Sequence, residues 1–133
     1  MRWMLDTNIC IYLIKEQPAS VLDRFTAHSV GDIGVSVITL AELEYGIAKS
    51  GRPARNRAAL ERFVSPLEVA SFDREATAVY GRVRTMLEKK GQPIGSMDLL
   101  IAAHAISLDV QLITHNVKEF GTVPGLRIEN WAD

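Results

Sequence analysis

Hydrophobic positions along this chain fall into two alternating kinds of run, and the alternation predicts an α/β fold. Short apolar-rich stretches at Arg2 to Leu5, Ile33 to Val37, Leu67 to Phe72 and Gln111 to Thr114 read as strands, with Leu126 to Ile128 as a fifth. Between them the apolar residues recur at helical spacing. Ile9, Tyr12 and Leu13 mark a helix over 8–15, and Val21, Leu22 and Phe25 mark another over 19–27. Leu40, Leu43 and Ile47 form the stripe of a third helix, capped by Thr39 and running to Lys49. Residues 54–64 predict a fourth helix. A long one runs from an Asp73 cap to Lys90, with Ala76, Val79, Tyr80, Val83, Met86 and Leu87 on one side. Ser96 reads as the N-cap of a last helix reaching Leu108. Strands alternating with helices predict a short parallel central sheet flanked by helices on both faces. Ligands of such sheets bind at the C-terminal edge of the strands.

Three acids break this pattern. Asp6 closes the first strand, Glu42 lies in the apolar stretch 38–43, and Asp98 opens the apolar helix of Ser96 to Leu108. Carboxylates in apolar settings need protons, donors or cations. Asp6 could simply cap the helix that comes next, Asp98 could be an ordinary first-turn acid, and Glu42 could be a surface residue. Against those readings, Asp6 and Asp98 converge on one sheet edge, with Glu42 within reach. Two charges ~4 Å apart repel by roughly 4 kcal/mol at an effective dielectric of 20. A shared divalent cation would relieve that repulsion and would suit phosphate chemistry. Periodicity leaves Glu42 and Glu44 open as the third member, because Glu44 lies nearer the apolar stripe.

Composition narrows the class. The 133 residues fit one domain, 1–133, and 47% hydrophobic residues suffice for a packed core. A net charge of −1 provides no global field for nucleic acid, so any such contact rests on local patches or a bound cation. The single cysteine, Cys10, excludes an internal disulfide framework and fits a reducing compartment. No apolar run approaches a membrane span, and Asp6 interrupts the N-terminal run before a signal peptide could form, so a cytoplasmic protein is expected. There is no phosphate-binding glycine loop and no zinc-ligand spacing among the three histidines.

Four motifs in order carry a resemblance. They are MLDTNI at the start, Ser36, Thr39, Glu42, Leu43 and Gly46 spaced as S-x-x-T-x-x-E-L-x-x-G, then GQPIGSMDLLIAAHA, then LITHNVKEF. Together they span essentially the whole chain, which resembles PIN-domain ribonucleases and, among them, the VapC toxins of toxin–antitoxin pairs. The resemblance implies a PIN-like fold with Asp6, Glu42 and Asp98 as metal-binding catalytic acids, and it selects Glu42 over Glu44. It implies hydrolysis of RNA phosphodiesters with Mg²⁺ or Mn²⁺. The enteric-type members cut initiator tRNA in the anticodon loop, which inhibits translation. It further implies a VapB-type antitoxin as partner and a homodimer. Many PIN domains carry a fourth acid where this chain has Asn116. Glu119, three residues on, could replace it as a metal ligand. Thr7 and Asn8 could position Asp6 or donate to the scissile phosphate, and Thr114 could hydrogen-bond within the site.

Two rivals from other classes fit less well. A phosphoacceptor module with a non-catalytic acidic pocket wants a lysine just after a late strand, and only Lys118 is near. A haloacid-dehalogenase-like phosphatase wants a second Asp where Asn8 stands. Lys49, Arg52, Arg55, Arg57 and Arg62 gather over one turn and helix, and Arg52 and Arg55 are candidate RNA-backbone contacts. His104 reads as a packed histidine facing with Ile101 and Leu108. His115 reads as a loop histidine near the site, and Trp3 and Trp131 as packing residues.

Overall fold

The computed structural model describes residues 1–132. Five strands form one parallel sheet in the order β3-β2-β1-β4-β5, where β1 is Trp3–Leu5, β2 Ile33–Ser36, β3 Glu68–Ala70, β4 Gln111–Ile113 and β5 Ile128–Glu129. Seven α-helices connect them: α1 Thr7–Lys15, α2 Ala19–Thr26, α3 Val37–Ala48, α4 Pro53–Val64, α5 Arg74–Lys89, α6 Ser96–Leu108 and α7 Val117–Phe120. The fold class is therefore the predicted one.

Alternation along the short strands builds two cores. Leu5, Ile33, Val35 and Ile113 pack with buried residues of α1 to α4, together with Trp131. Met4 and Leu112 point the other way and pack with α5 and α6. Both faces of the sheet are thus covered, as a parallel sheet requires. Helix α6 is apolar nearly all round. Ile101, Ala102, Ala103 and Ala105 are completely buried, because α6 lies against the sheet and is itself covered by α5.

Several boundaries differ from the sequence reading for identifiable reasons. Thr39 is not a cap. Ser36 is, since its side chain accepts the Ile38 N–H and α3 starts at Val37. Thr39 is buried within the helix instead. Ser96 is the first helical residue of α6, and Gly95 precedes it without a side-chain cap. Asp73 caps α5 as expected, accepting the Ala76 N–H at 3.1 Å. The short helix α7 has no counterpart in the hydrophobic pattern, and β5 lies at Ile128–Glu129 rather than 126–128. Leu108 is partly exposed, whereas Ile101 and His104 are fully buried.

Strand register aligns the residues at the C-terminal ends of the three central strands. Leu5 pairs with Val35 on one side and Ile113 on the other. Their successors Asp6, Ser36 and Thr114 therefore stand level at the C-terminal edge, and all three are buried.

Candidate active site

At that edge a cleft of about 240 Å³ is lined by Asp6, Thr7, Asn8, Glu42, Asp98, Asn116 and Phe120. Asp6 is held twice over. Its side chain accepts the Ile9 N–H at 2.9 Å, capping α1, and it is hydrogen-bonded to Thr114. The capping role and the cleft position coincide rather than compete. Burial nevertheless raises its pKa, and the nearby Glu42 charge adds to the rise.

Glu42 faces the cleft from α3, where the Thr7 hydroxyl donates to its Oε1 at 2.5 Å. The same hydroxyl lies 3.4 Å from that of Thr39. Glu44 points elsewhere, into a two-contact ion pair with Arg57 of α4 at 2.6 and 3.1 Å. Arg57 holds the Glu44 carboxyl below its ordinary range.

Asp98 enters from the first turn of α6. Its pKa is pushed up to about 7, first by burial, then by the Glu119 charge and hydrogen bond, then by Glu42 and Asp6. A hydrogen bond between two carboxyl groups requires a proton between them. Glu119 also accepts the Gly95 N–H at 3.0 Å and the Asn116 side-chain amide at 2.7 Å. Asn116 in turn receives its own backbone geometry from Thr114, whose Oγ1 accepts the Asn116 N–H at 2.9 Å.

The structure thus gathers Asp6, Thr7, Asn8, Glu42, Asp98 and Asn116 around one cleft, with Thr114 behind Asp6 and Glu119 against Asp98. Arg52 and Arg55 are exposed and do not line the cleft. Phe120 escapes sequence reasoning, because it belongs to α7. Its sequence signal is its place as the last residue of the LITHNVKEF motif, one turn beyond Asn116.

The donor set suits a hard cation. It consists of carboxylate oxygens, those of Asp6 and Asp98 raised in pKa by burial and by their neighbours' charge, with no thiolate or exposed imidazole lining the cleft. As the side chains stand, no three His, Cys, Asp or Glu among the described residues converge tightly enough to chelate one ion. Mg²⁺ and Mn²⁺ keep several water ligands, and contacts through water span such gaps. Asp98, its pKa raised by burial and by the neighbouring Glu119 charge, marks where positive charge is needed.

Comparison with known proteins agrees with this architecture. The PIN domain model matches residues 3–126. The chain is 46% identical over 132 residues to Ribonuclease VapC2 of Rickettsia felis, covering 98% of each. It is 45% identical to the tRNA(fMet)-specific endonuclease VapC of Shigella flexneri, covering 99% of each. A crystal structure of DNA-bound VapBC from Salmonella typhimurium superposes with a TM-score of 0.93 at 44% identity, covering 98% of each chain. VapBC2 from Rickettsia felis, bound to a promoter DNA fragment, gives 0.91 at 43% identity, covering 98% of this chain and 99% of that one. PIN-domain nucleases are generally dependent on divalent metals.

Proposed function

The chain belongs to the PIN-domain family and to its VapC branch, and from that membership we propose that it is the ribonuclease toxin of a toxin–antitoxin pair, cutting initiator tRNA. The observation that carries this reading is the full-length likeness to an endonuclease specific for tRNA(fMet). The solved VapBC complexes supply the partner class, a VapB-type antitoxin that restrains the nuclease. Two copies of the chain form the working unit.

In this reading Asp6 and Asp98 hold Mg²⁺ or Mn²⁺, directly or through water, and Glu119 adds a fourth carboxylate in place of the acid that Asn116 lacks. A divalent ion held by these acids would supply Lewis acidity, favouring a water nucleophile and offsetting charge that develops on the phosphate. Glu42 orients the attacking water and takes its proton as the new phosphorus–oxygen bond forms. The ester bond to the leaving oxygen breaks, and that oxygen is protonated from solvent. Thr7 keeps Glu42 aimed into the cleft through the hydrogen bond between them. Thr114 and the start of α1 hold Asp6. Asn8 and Asn116, at the cleft wall, donate to the phosphate. Arg52 and Arg55 contact the RNA backbone away from the cut.

The test is incubation of purified protein with total tRNA, with Mg²⁺ or with EDTA, beside Asp6→Asn. One tRNA should be cut at one place, only with metal and not by the variant. Sequencing the ends identifies it. Cleavage in EDTA, or equal cleavage by Asp6→Asn, would overturn the reading.

A further inference from the structure

A buried polar pair behind the cleft takes no part in the chemistry above. His104 of α6 is fully buried, and its Nδ1 stands 2.7 Å from Ser36 Oγ. The same Oγ accepts the Ile38 N–H at 3.0 Å, capping α3. Burial lowers the pKa of the imidazole, which favours the neutral ring. Among the described residues the Ser36 hydroxyl proton has no acceptor other than Nδ1. Ser36 therefore donates to Nδ1, and Nε2 carries the ring hydrogen. Nε2 has no partner with good geometry, and the Phe72 ring packs edge-on with centroids 5.2 Å apart. The ring is thus held by its hydrogen bond to Ser36, by the Ser71 backbone beside it and by packing.

The placement of this bond is what gives it meaning. Ser36 stands six residues before Glu42, and His104 stands six residues after Asp98. Six helical residues span about 9 Å. The bond and the acid pair therefore join the same two helices, α3 and α6, at matched distances along each. The two helices pack together, yet the charges of Glu42 and Asp98 repel across the cleft. A neutral, directional bond deep in the core opposes sliding or splaying of one helix against the other.

We propose that the Ser36–His104 hydrogen bond is a clamp that fixes the register of α3 against α6, and so the separation of Glu42 and Asp98 at which a divalent cation is held. Both are positioning residues and neither touches substrate. The inference rests on the acid cleft being a metal centre.

The experiment measures Mn²⁺ binding by calorimetry and by the paramagnetic resonance signal of the free ion. The proteins are wild type, His104→Leu, His104→Asn, Ser36→Ala and, as a control, Asp98→Asn, each checked for fold by circular dichroism. His104→Leu and Ser36→Ala should weaken Mn²⁺ binding by about tenfold or more, the scale at which loss of an orienting contact is felt at metal sites. His104→Asn, whose Oδ1 can accept near the former Nδ1 position, should recover most of that loss. Cleavage should lose kcat in parallel with little change in KM for tRNA. If His104→Leu does not fold, Ser36→Ala decides. Folded variants that bind Mn²⁺ as tightly as wild type would overturn the clamp while leaving the metal centre standing. Wild-type protein that binds no Mn²⁺ would overturn the metal centre and the clamp with it.

Discussion

Asp6 carries two roles that a single substitution can separate. Its carboxylate caps α1 and also lines the cleft. Asn caps helices about as well as Asp, whereas Ala does not. Asp6→Asn should therefore keep the fold and lose metal-dependent cleavage, by roughly a hundredfold or more if it removes a group as important as a general base. Asp6→Ala should lose the same activity and, in addition, about 1 kcal/mol of stability in urea melts. Equal stability of the two variants would argue that the cap contributes nothing. Asp98 makes a second, pH-dependent prediction. Its folded pKa of about 7 lies above its ordinary value of 3.8. Between those values the folded chain holds a proton that the unfolded chain has released. The stability from this group is complete below about pH 4 and is lost as pH rises through 7. Metal-free protein should accordingly melt at a lower temperature at pH 8 than at pH 5, as far as this group governs. Added Mn²⁺ competes with that proton, so its stabilising effect should grow over the same window. Scanning fluorimetry with and without Mn²⁺ reads both, and a Mn²⁺ effect independent of pH would exclude a proton displaced from Asp98.

At the scale of elements, legibility depends on whether a local signal exists. Asp73 before α5 announces itself as a cap by residue type, and replacement by Ala should cost about 1 kcal/mol in chemical denaturation. Ser36 has the same chemistry but yields to Thr39 in a reading by pattern, because both precede the apolar stripe and only the strand register shows where β2 stops. The short helix α7 leaves almost no periodic trace in four residues. Helical angle does not separate Glu42 from Glu44, since the deciding contact, Arg57 on Glu44, comes from another helix. Asp6 and Asp98 are legible because each interrupts an apolar run at an element boundary. Gly34 shows a constraint that the sequence hides. A Cβ there would meet the Glu68 carbonyl oxygen at 2.7 Å and collide with the Met1 side chain. Gly34→Ala should therefore destabilise the β2–β3 pairing by about 1–3 kcal/mol. A thermal melt unchanged from wild type would mean that the strand edge yields.

At the scale of the whole molecule, the two cores divide the work. Helices α1 to α4 on one face carry Thr7 and Glu42, and α6 on the other carries Asp98. The cleft is thus assembled from both faces of one sheet, and neither half suffices alone. Among the described residues no helix is long and apolar enough to cross a membrane. The walls of the cleft supply carboxylates, amides, a hydroxyl and one aromatic ring, and no lysine or arginine. An RNA strand arriving at an ion-free cleft would meet like charge, and an ion arriving beneath a bound strand would find its way covered. If this cleft is the metal centre proposed above, its lining predicts a sequence in time: the cation should enter first, the polyanion second, and product should leave before the cation does. Initial rates with both concentrations varied should show ordered addition with the metal leading, and random addition would mean that some other surface admits the RNA.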